Sequence, residues 1–329
     1  MIDFNEIQIK ELPVSEKNYA ETMQGKVEPY LESIREDGFF STFDSNKLHY
    51  EKYVIDNAVA SVVIVHGFTE SAEKFREMSY CFTLMGFNVF VLDQRGHGKS
   101  YRIAENPETV SVGKFEDYVK DLDAFVNEVV KGASGSLPLY VYCHSMGGAV
   151  TIQYLQEHPE TFKKAVLSAP MVLCKCNGIP PKIASAMMKF FLLFGKDDEM
   201  VFVYKGFDKN RSFETSHDTS KARFDYYHAK RCKDRQLQTS SASYRWVSEA
   251  IKVANKNLDK NRCAKIKIPL LLCQPEEDAS VYSEKEDEFI KLVPNGKLVK
   301  FTKCKHEIYL SVDETVFEYL KTIEGFLKG

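Results

Sequence analysis

The sequence predicts an α/β protein: a mostly parallel sheet, helices on both of its faces, and a mainly helical cap inserted into it. Three observations carry this. Short runs rich in β-branched residues recur, and they are apolar on both faces, the pattern of strands buried from two sides. Segments with helical periodicity alternate with them, as in a succession of βαβ units. The alternation stops after Pro170 and resumes around Trp246, so the stretch between is an insertion, because the sheet needs both flanks. On this reading residues 1–170 and 247–329 form the core domain and residues 171–246 the cap.

The elements follow in order. The polar N-terminal part predicts a short helix ending near Arg35. Residues 39–43 and 48–53 flank Asp44-Ser45-Asn46, a turn composition, and predict a hairpin. Buried strands are predicted over 61–65, 88–92, 139–143, 165–167 and 269–273, and a last strand over 298–301. Helices are predicted over 114–131, 146–158 (stopped by Pro159), 244–254, 284–292 and 314–327. Between Met171 and Trp246 no buried strand stands out, and Pro180-Pro181 interrupts the chain.

Composition narrows the function. The chain has 329 residues, 44% hydrophobic and 28% charged, which is ordinary for a globular protein. A net charge of −3 without a basic arm gives no pull towards nucleic acid. The start Met1-Ile2-Asp3-Phe4-Asn5-Glu6 lacks the basic and apolar regions of a secretory leader. No apolar run approaches the roughly 18 residues of a membrane span. Eight cysteines are scattered, and the one close pair, Cys174 and Cys176, has no partner pair at zinc-site spacing. Free thiols, a cytoplasmic location, no metal and no cofactor are the expectation.

The most informative stretch runs from Tyr140 to Gly148. A buried strand enters Ser145 and a helix leaves from Met146. That is the context of a nucleophile elbow, where a serine sits on a sharp turn with its hydroxyl exposed at a helix N-terminus. Residues two positions away must be small for strand and helix to approach. Gly147 fits the G-x-S-x-G pattern; Cys143 replaces the first glycine and is expected to crowd the turn. The competing role for Ser145 is an ordinary helix cap. His144 is expected only to pack beside the turn. Cys143 lies inside the strand, where a thiol is inert.

A serine nucleophile needs a base, and the base needs an orienting carboxylate. Both follow strands in the order this chemistry uses. After 269–273 come Glu276, Glu277 and Asp278; after 298–301 comes His306. Asp278 lies furthest into its loop and is the preferred acid, with Glu276 and Glu277 solvated. The oxyanion hole is expected from the backbone N–H groups of Met146 and Phe68, with Gly67 allowing a close approach. The segment from Asp93 to Ser100 suggests a phosphate loop, but Asp93 stands where that motif requires glycine. It reads as a structural loop bracing the elbow.

With these residues in view, His66-Gly67-Phe68, residues 93–100, residues 144–148, the Asp278 loop and His306-Glu307 together resemble the lysophospholipase and monoacylglycerol lipase branch of the α/β-hydrolases. Residues 30–35 resemble the bacterial lysophospholipase L2 group in particular. The resemblance covers nearly the whole chain and is weakest in the cap. It implies the α/β-hydrolase fold, a triad of Ser145, Asp278 and His306, and hydrolysis of a monoacyl lipid ester. In the cap, residues 186–194 are nearly all apolar. They are either cap core or an exposed lid that lines an acyl tunnel or touches a lipid surface; the second reading puts Phe190, Phe191 and Phe194 on the substrate. Residues 217–238 are rich in Lys and Arg, either a solvated helix face or a contact for a phosphate head group. The partners expected are a lipid or small ester, with peripheral membrane contact through the cap. Peptidase or C–C hydrolase chemistry, or a non-catalytic binding role, remain alternatives on the same fold.

Overall fold

The computed structural model describes residues 9–176 and 178–329; the N-terminal residues read above for a leader lie outside them. The strands are β1 Arg35–Ser41, β2 Lys47–Tyr53, β3 Ala60–Val65, β4 Phe87–Leu92, β5 Thr109–Val110, β6 Leu139–His144, β7 Lys164–Ser168, β8 Ser241–Ala242, β9 Leu270–Pro275 and β10 Gly296–Phe301. Eight of them form one sheet in the order β1-β2-β4-β3-β6-β7-β9-β10. β2 pairs antiparallel with β1 and β4, and the strands from β4 to β10 run parallel.

Alternation along the central strands sends neighbouring side chains to opposite faces. Val63 and Val65 of β3 enter one core, with Leu122, Phe125 and Leu155. Val62 and Ile64 enter the other, with Leu31, Phe82 and Leu320. Helices Met146–Glu157 and Tyr244–Asn257 cover the first face; Arg76–Leu84 and Asp313–Lys328 cover the second. The mostly parallel sheet with helices on both faces is therefore as the sequence predicts.

Two differences have local causes. The first strand starts at Arg35 and stops at Ser41, not Phe43, because Thr42 N–H donates to Asn46 O at 2.9 Å and Ser45 takes φ 64° to close the hairpin. Helix Arg76–Leu84 has no counterpart in the sequence reading. Every residue from Arg76 to Thr83 is buried, so no polar stripe marks its period, and its charged residues are absorbed in ion pairs such as Arg76–Glu51 at 3.2 Å.

Between β7 and helix Tyr244–Asn257 the chain forms helices Pro181–Leu192 and Lys221–Lys233. It also contains a strand the sequence hides: β8 pairs parallel with β5 over two residues, too few to show alternation. Helix Lys221–Lys233 is moored to the core through Arg223, whose fully buried guanidinium pairs with Glu77 and Asp313, each at 3.0 Å. Among the described residues no helix is long and apolar enough to cross a membrane.

Candidate active site

The parallel strands end along one edge, and three loops meet there. β6 runs into Ser145, which holds φ 50° and ψ −116°, a conformation that costs a non-glycine residue of order 1–3 kcal/mol. Surrounding contacts enforce it. A Cβ on Gly147 would lie 2.0 Å from Val65 O, and one on Gly148 would lie 2.5 Å from Pro170 Cβ, so only glycine lets the helix start this close to β3.

His306, in the loop after β10, places Nε2 2.8 Å from Ser145 Oγ. Its Nδ1 is 2.7 Å from Asp278 Oδ2, in the loop after β9. Asp278 Oδ1 accepts the N–H groups of Ser280 at 2.7 Å and Val281 at 2.9 Å. Burial by itself would raise the Asp278 carboxyl; His306 and the two N–H groups outweigh it and hold the group ionised below its ordinary range. Glu276 and Glu277 are exposed, as expected.

The loop after β3 passes close to the serine: a Cβ on Gly67 would sit 3.0 Å from Ser145 Cβ. Among the described residues, neither the Phe68 N–H nor the Met146 N–H donates to a protein acceptor. The phenyl ring of Phe68 packs on Trp246 at 4.2 Å. Gln94 braces this loop, its N–H donating to His66 Nε2 at 3.0 Å and its amide to His66 O at 2.5 Å. The segment from Asp93 to Ser100 is structural, as expected, but it supports the His66 loop rather than the elbow itself.

Glu70 is the residue that sequence reasoning missed. Its Oε2 accepts from Gly67 N–H and from His144 Nδ1, the latter at 3.0 Å. Its Oε1 accepts from Tyr309 Oη at 2.6 Å and Lys74 Nζ at 3.0 Å. His144 does more than pack, because its Nε2 lies 3.3 Å from His306 O. Burial would lower the His144 imidazole, but Glu70 reverses this and raises it. Burial would raise the Glu70 carboxyl; Lys74 and His144 hold it well below its usual range. One buried carboxylate thus joins the β3 loop, the elbow and the His306 loop. In sequence Thr69-Glu70-Ser71 looks like any polar turn, and nothing local marks it.

A cavity of about 420 Å³ opens from Ser145 and His306 under the segment between β7 and helix Tyr244–Asn257. Its apolar part is lined by Met171, Ile179, Met187, Met188, Val201 and Trp246. Phe190, Phe191 and Phe194 do not line it, which corrects their placement on the substrate. The cause is helical phase. Ala184, Met187 and Met188 share the inward face, while Phe190, Leu193 and Phe194 point outward, 56%, 84% and 66% exposed. Phe191 packs on Tyr244 at 4.4 Å.

Residues 56–313 match the family model described as serine aminopeptidase, S33. The chain belongs to that family. Probable lysophospholipase L2 of Haemophilus influenzae is 28% identical over 269 residues, 81% of this chain and 83% of that protein. A putative monoglyceride lipase of Schizosaccharomyces pombe is 23% identical, covering 83% of this chain and 68% of its own length. A soluble variant of monoglyceride lipase from Saccharomyces cerevisiae, solved with a substrate analogue, superposes with a TM-score of 0.70 at 21% identity, over 88% of this chain and 95% of that one. That likeness shows the α/β-hydrolase fold.

Within this S33 chain, Cys143 is no obstacle at the elbow. Its side chain points into the core beside Met146 and Leu167, with Sγ 3.6 Å from Val166 O. The expected crowding is absent because position 143 faces the interior of the sheet, whereas position 147 faces backbone. Burial pushes the thiol up to about 12, so it stays protonated and unreactive. Among the described residues no group of His, Cys, Asp and Glu is arranged to hold a metal ion.

Proposed function

We propose that this protein is a serine esterase that cleaves monoacyl lipids, such as lysophospholipids or monoacylglycerols, through an acyl-enzyme. One observation carries the reading: the unbroken chain Asp278–His306–Ser145, with links of 2.7 Å and 2.8 Å, at the mouth of a cavity with an apolar part. The names of its relatives, lysophospholipase L2 and monoglyceride lipase, support the same class.

Ser145 Oγ attacks the ester carbonyl while His306 Nε2 takes its proton. Asp278 holds the Nδ1–H tautomer and stabilises the imidazolium. The N–H groups of Phe68 and Met146, which donate to no acceptor among the described residues, bind the oxyanion. His306 then protonates the departing alcohol, and water releases the acyl group by the same route. The segment 171–246 acts as the cap over the site, and its apolar side chains Met187 and Met188 receive the acyl chain, since methionine adapts to a flexible partner. The outward face with Phe190, Leu193 and Phe194 meets the lipid surface. No cofactor takes part.

Ser145→Ala is expected to lower p-nitrophenyl butyrate turnover by on the order of 10⁴–10⁶-fold and to abolish labelling by a fluorophosphonate probe. Undiminished turnover in that variant removes the assignment. The description of the family as aminopeptidases favours amide hydrolysis as a second reading. A panel of monoacylglycerols, lysophospholipids and aminoacyl amides separates the two.

A further inference from the structure

The cavity has two chemically different parts, and the sequence separates them. Its lining from residues 171–204 is mostly apolar. Its lining from residues 211–240 includes Arg211, His217, Asp218, His228, Arg231 and Ser240. The two arginines are unusual. Arg231 is only 8% exposed and donates only to backbone carbonyls, Leu237 O at 3.0 Å and Thr239 O at 2.7 Å, with its guanidinium also over the Phe207 ring. Arg211 donates to Thr215 O at 3.1 Å. Among the described residues neither forms an ion pair with a carboxylate, and burial together with the repulsion from Arg211 pulls Arg231 below its ordinary range. A buried charge without a counter-charge is costly, and the repulsion from Arg211 adds to that cost at Arg231.

Two of the acids nearby are already engaged. Lys74 pairs with Glu70 at 3.0 Å and with Glu307 at 2.7 Å, and Glu307 acts on Arg231 only at longer range. Burial and the neighbouring Glu307 carboxylate hold Asp218 well above its ordinary range. Burial brings His217 down to about 4, so it is neutral. Among the described residues, Arg211 and Arg231 are the cations of this wall left without an ion-pair partner.

Its position gives it a role. A departing alcohol takes its proton from the catalytic imidazole and must lie beside it. The His217 ring is 6.1 Å from the His306 ring, and Glu307 N–H donates to His217 O at 3.3 Å. The polar wall therefore begins where a leaving group would sit.

We propose, resting on the esterase reading above, that Arg211 and Arg231 seat a phosphate carried by the leaving group. The preferred substrates are then lysophospholipid-type esters with an anionic glycerophosphate head, over uncharged monoacylglycerols.

The test uses the full chain with decanoyl lysophosphatidate, 1-decanoylglycerol and p-nitrophenyl butyrate, all kept monomeric. The wild type is expected to show the higher kcat/KM on lysophosphatidate. Arg211→Ala, at a half-buried position, is expected to lower kcat/KM for lysophosphatidate about tenfold while changing the other two by about twofold or less, as the loss of one charge-assisted hydrogen bond would. Arg211→Lys should recover part of the loss. Equal losses on all three substrates, or none, overturn the proposal.

Arg231→Gln is the second variant, with its melting temperature compared first; if it fails to fold, Arg211→Ala alone decides. Glycerol 3-phosphate should compete with p-nitrophenyl butyrate in the wild type and not in Arg211→Ala. Equal competition by inorganic phosphate would make this a free-anion site and overturn the head-group assignment. A chain that turns over p-nitrophenyl butyrate without phosphate preference defeats only this site. A chain inert to every ester and to fluorophosphonate defeats the esterase reading, and protection of its melting temperature by glycerol 3-phosphate then decides the site independently.

Discussion

The two helices between β7 and helix Tyr244–Asn257 reverse the usual relation between polarity and burial. Lys221–Lys233 is the polar one, yet it is fastened to the core: Arg223 is fully buried against Glu77 and Asp313, and Tyr226 donates to Glu28 at 2.7 Å. Pro181–Leu192 is the apolar one, yet it and the turn after it hold Ile183, Phe190, Leu193 and Phe194 exposed, resting mainly on Tyr244–Asn257 through Met188, Val201 and Tyr244. The difference teaches how one stretch of chain divides its work. Directional ion pairs fix the half beside His217 and Glu307, next to His306. Non-directional apolar contact holds the other half, which can shift without leaving a buried charge unpaired.

The largest effect expected from breaking this contrast is on the moored helix. Arg223→Met leaves Glu77 buried without its partner and should cost about 3–5 kcal/mol in urea unfolding. A loss below about 1 kcal/mol would mean that the anchor contributes little more than a surface pair. Next comes the network between the moored half and the Asp278–His306–Ser145 chain. Glu70→Gln keeps the shape but weakens the hold on His144, Tyr309 and Lys74; a displacement of the base of about 1 Å would lower kcat about 100-fold with KM little changed. Unchanged kcat would show that His306 is positioned by Asp278 alone.

A smaller effect is expected on the free helix. The double change Leu193→Glu with Phe194→Glu should leave unfolding within about 0.5 kcal/mol, because both side chains are already in water. It should lower turnover of monoacyl substrate presented in vesicles, with p-nitrophenyl butyrate turnover intact. Equal losses in both assays would mean that the helix supports the site rather than meeting a surface.

The smallest effect is a pH dependence. The folded-state pKa of His144 is raised, so its pairing with Glu70 stabilises fully below the unfolded histidine value of about 6.5 and is lost as pH rises through the folded value. Glu70, with its pKa lowered, stays ionised throughout. The melting-temperature gap between wild type and His144→Asn should therefore narrow as pH rises above about 6.5; a widening gap would show that the imidazole is neutral.

The core was legible because parallel strands buried on both faces leave continuous apolar runs, and β3, β4, β6, β7 and β9 all begin or end within a few residues of their predicted bounds. The positions of Ser145 and Asp278 were legible because each follows such a run; His306 follows β10, a half-buried edge strand, and was legible from its place after the last strand. Helix Arg76–Leu84 was not, since burial all round erases amphipathic period. Nor was the facing of Phe190, Phe191 and Phe194: an apolar stretch with large side chains on every side does not declare which stripe turns inward.

What the amino-acid order determined by itself was the sheet and the residues at its carboxyl edge, because strand burial and post-strand loops are local properties of the chain. What only the tertiary structure decided was the joining of Glu70 to His144, Tyr309 and Lys74, the anchoring of Arg223, and the exposure of Arg211 and Arg231 to a cavity. Those depend on charges far apart in sequence meeting in a low-dielectric interior, where pairing or its absence dominates the energy, and no pattern along the chain encodes such meetings.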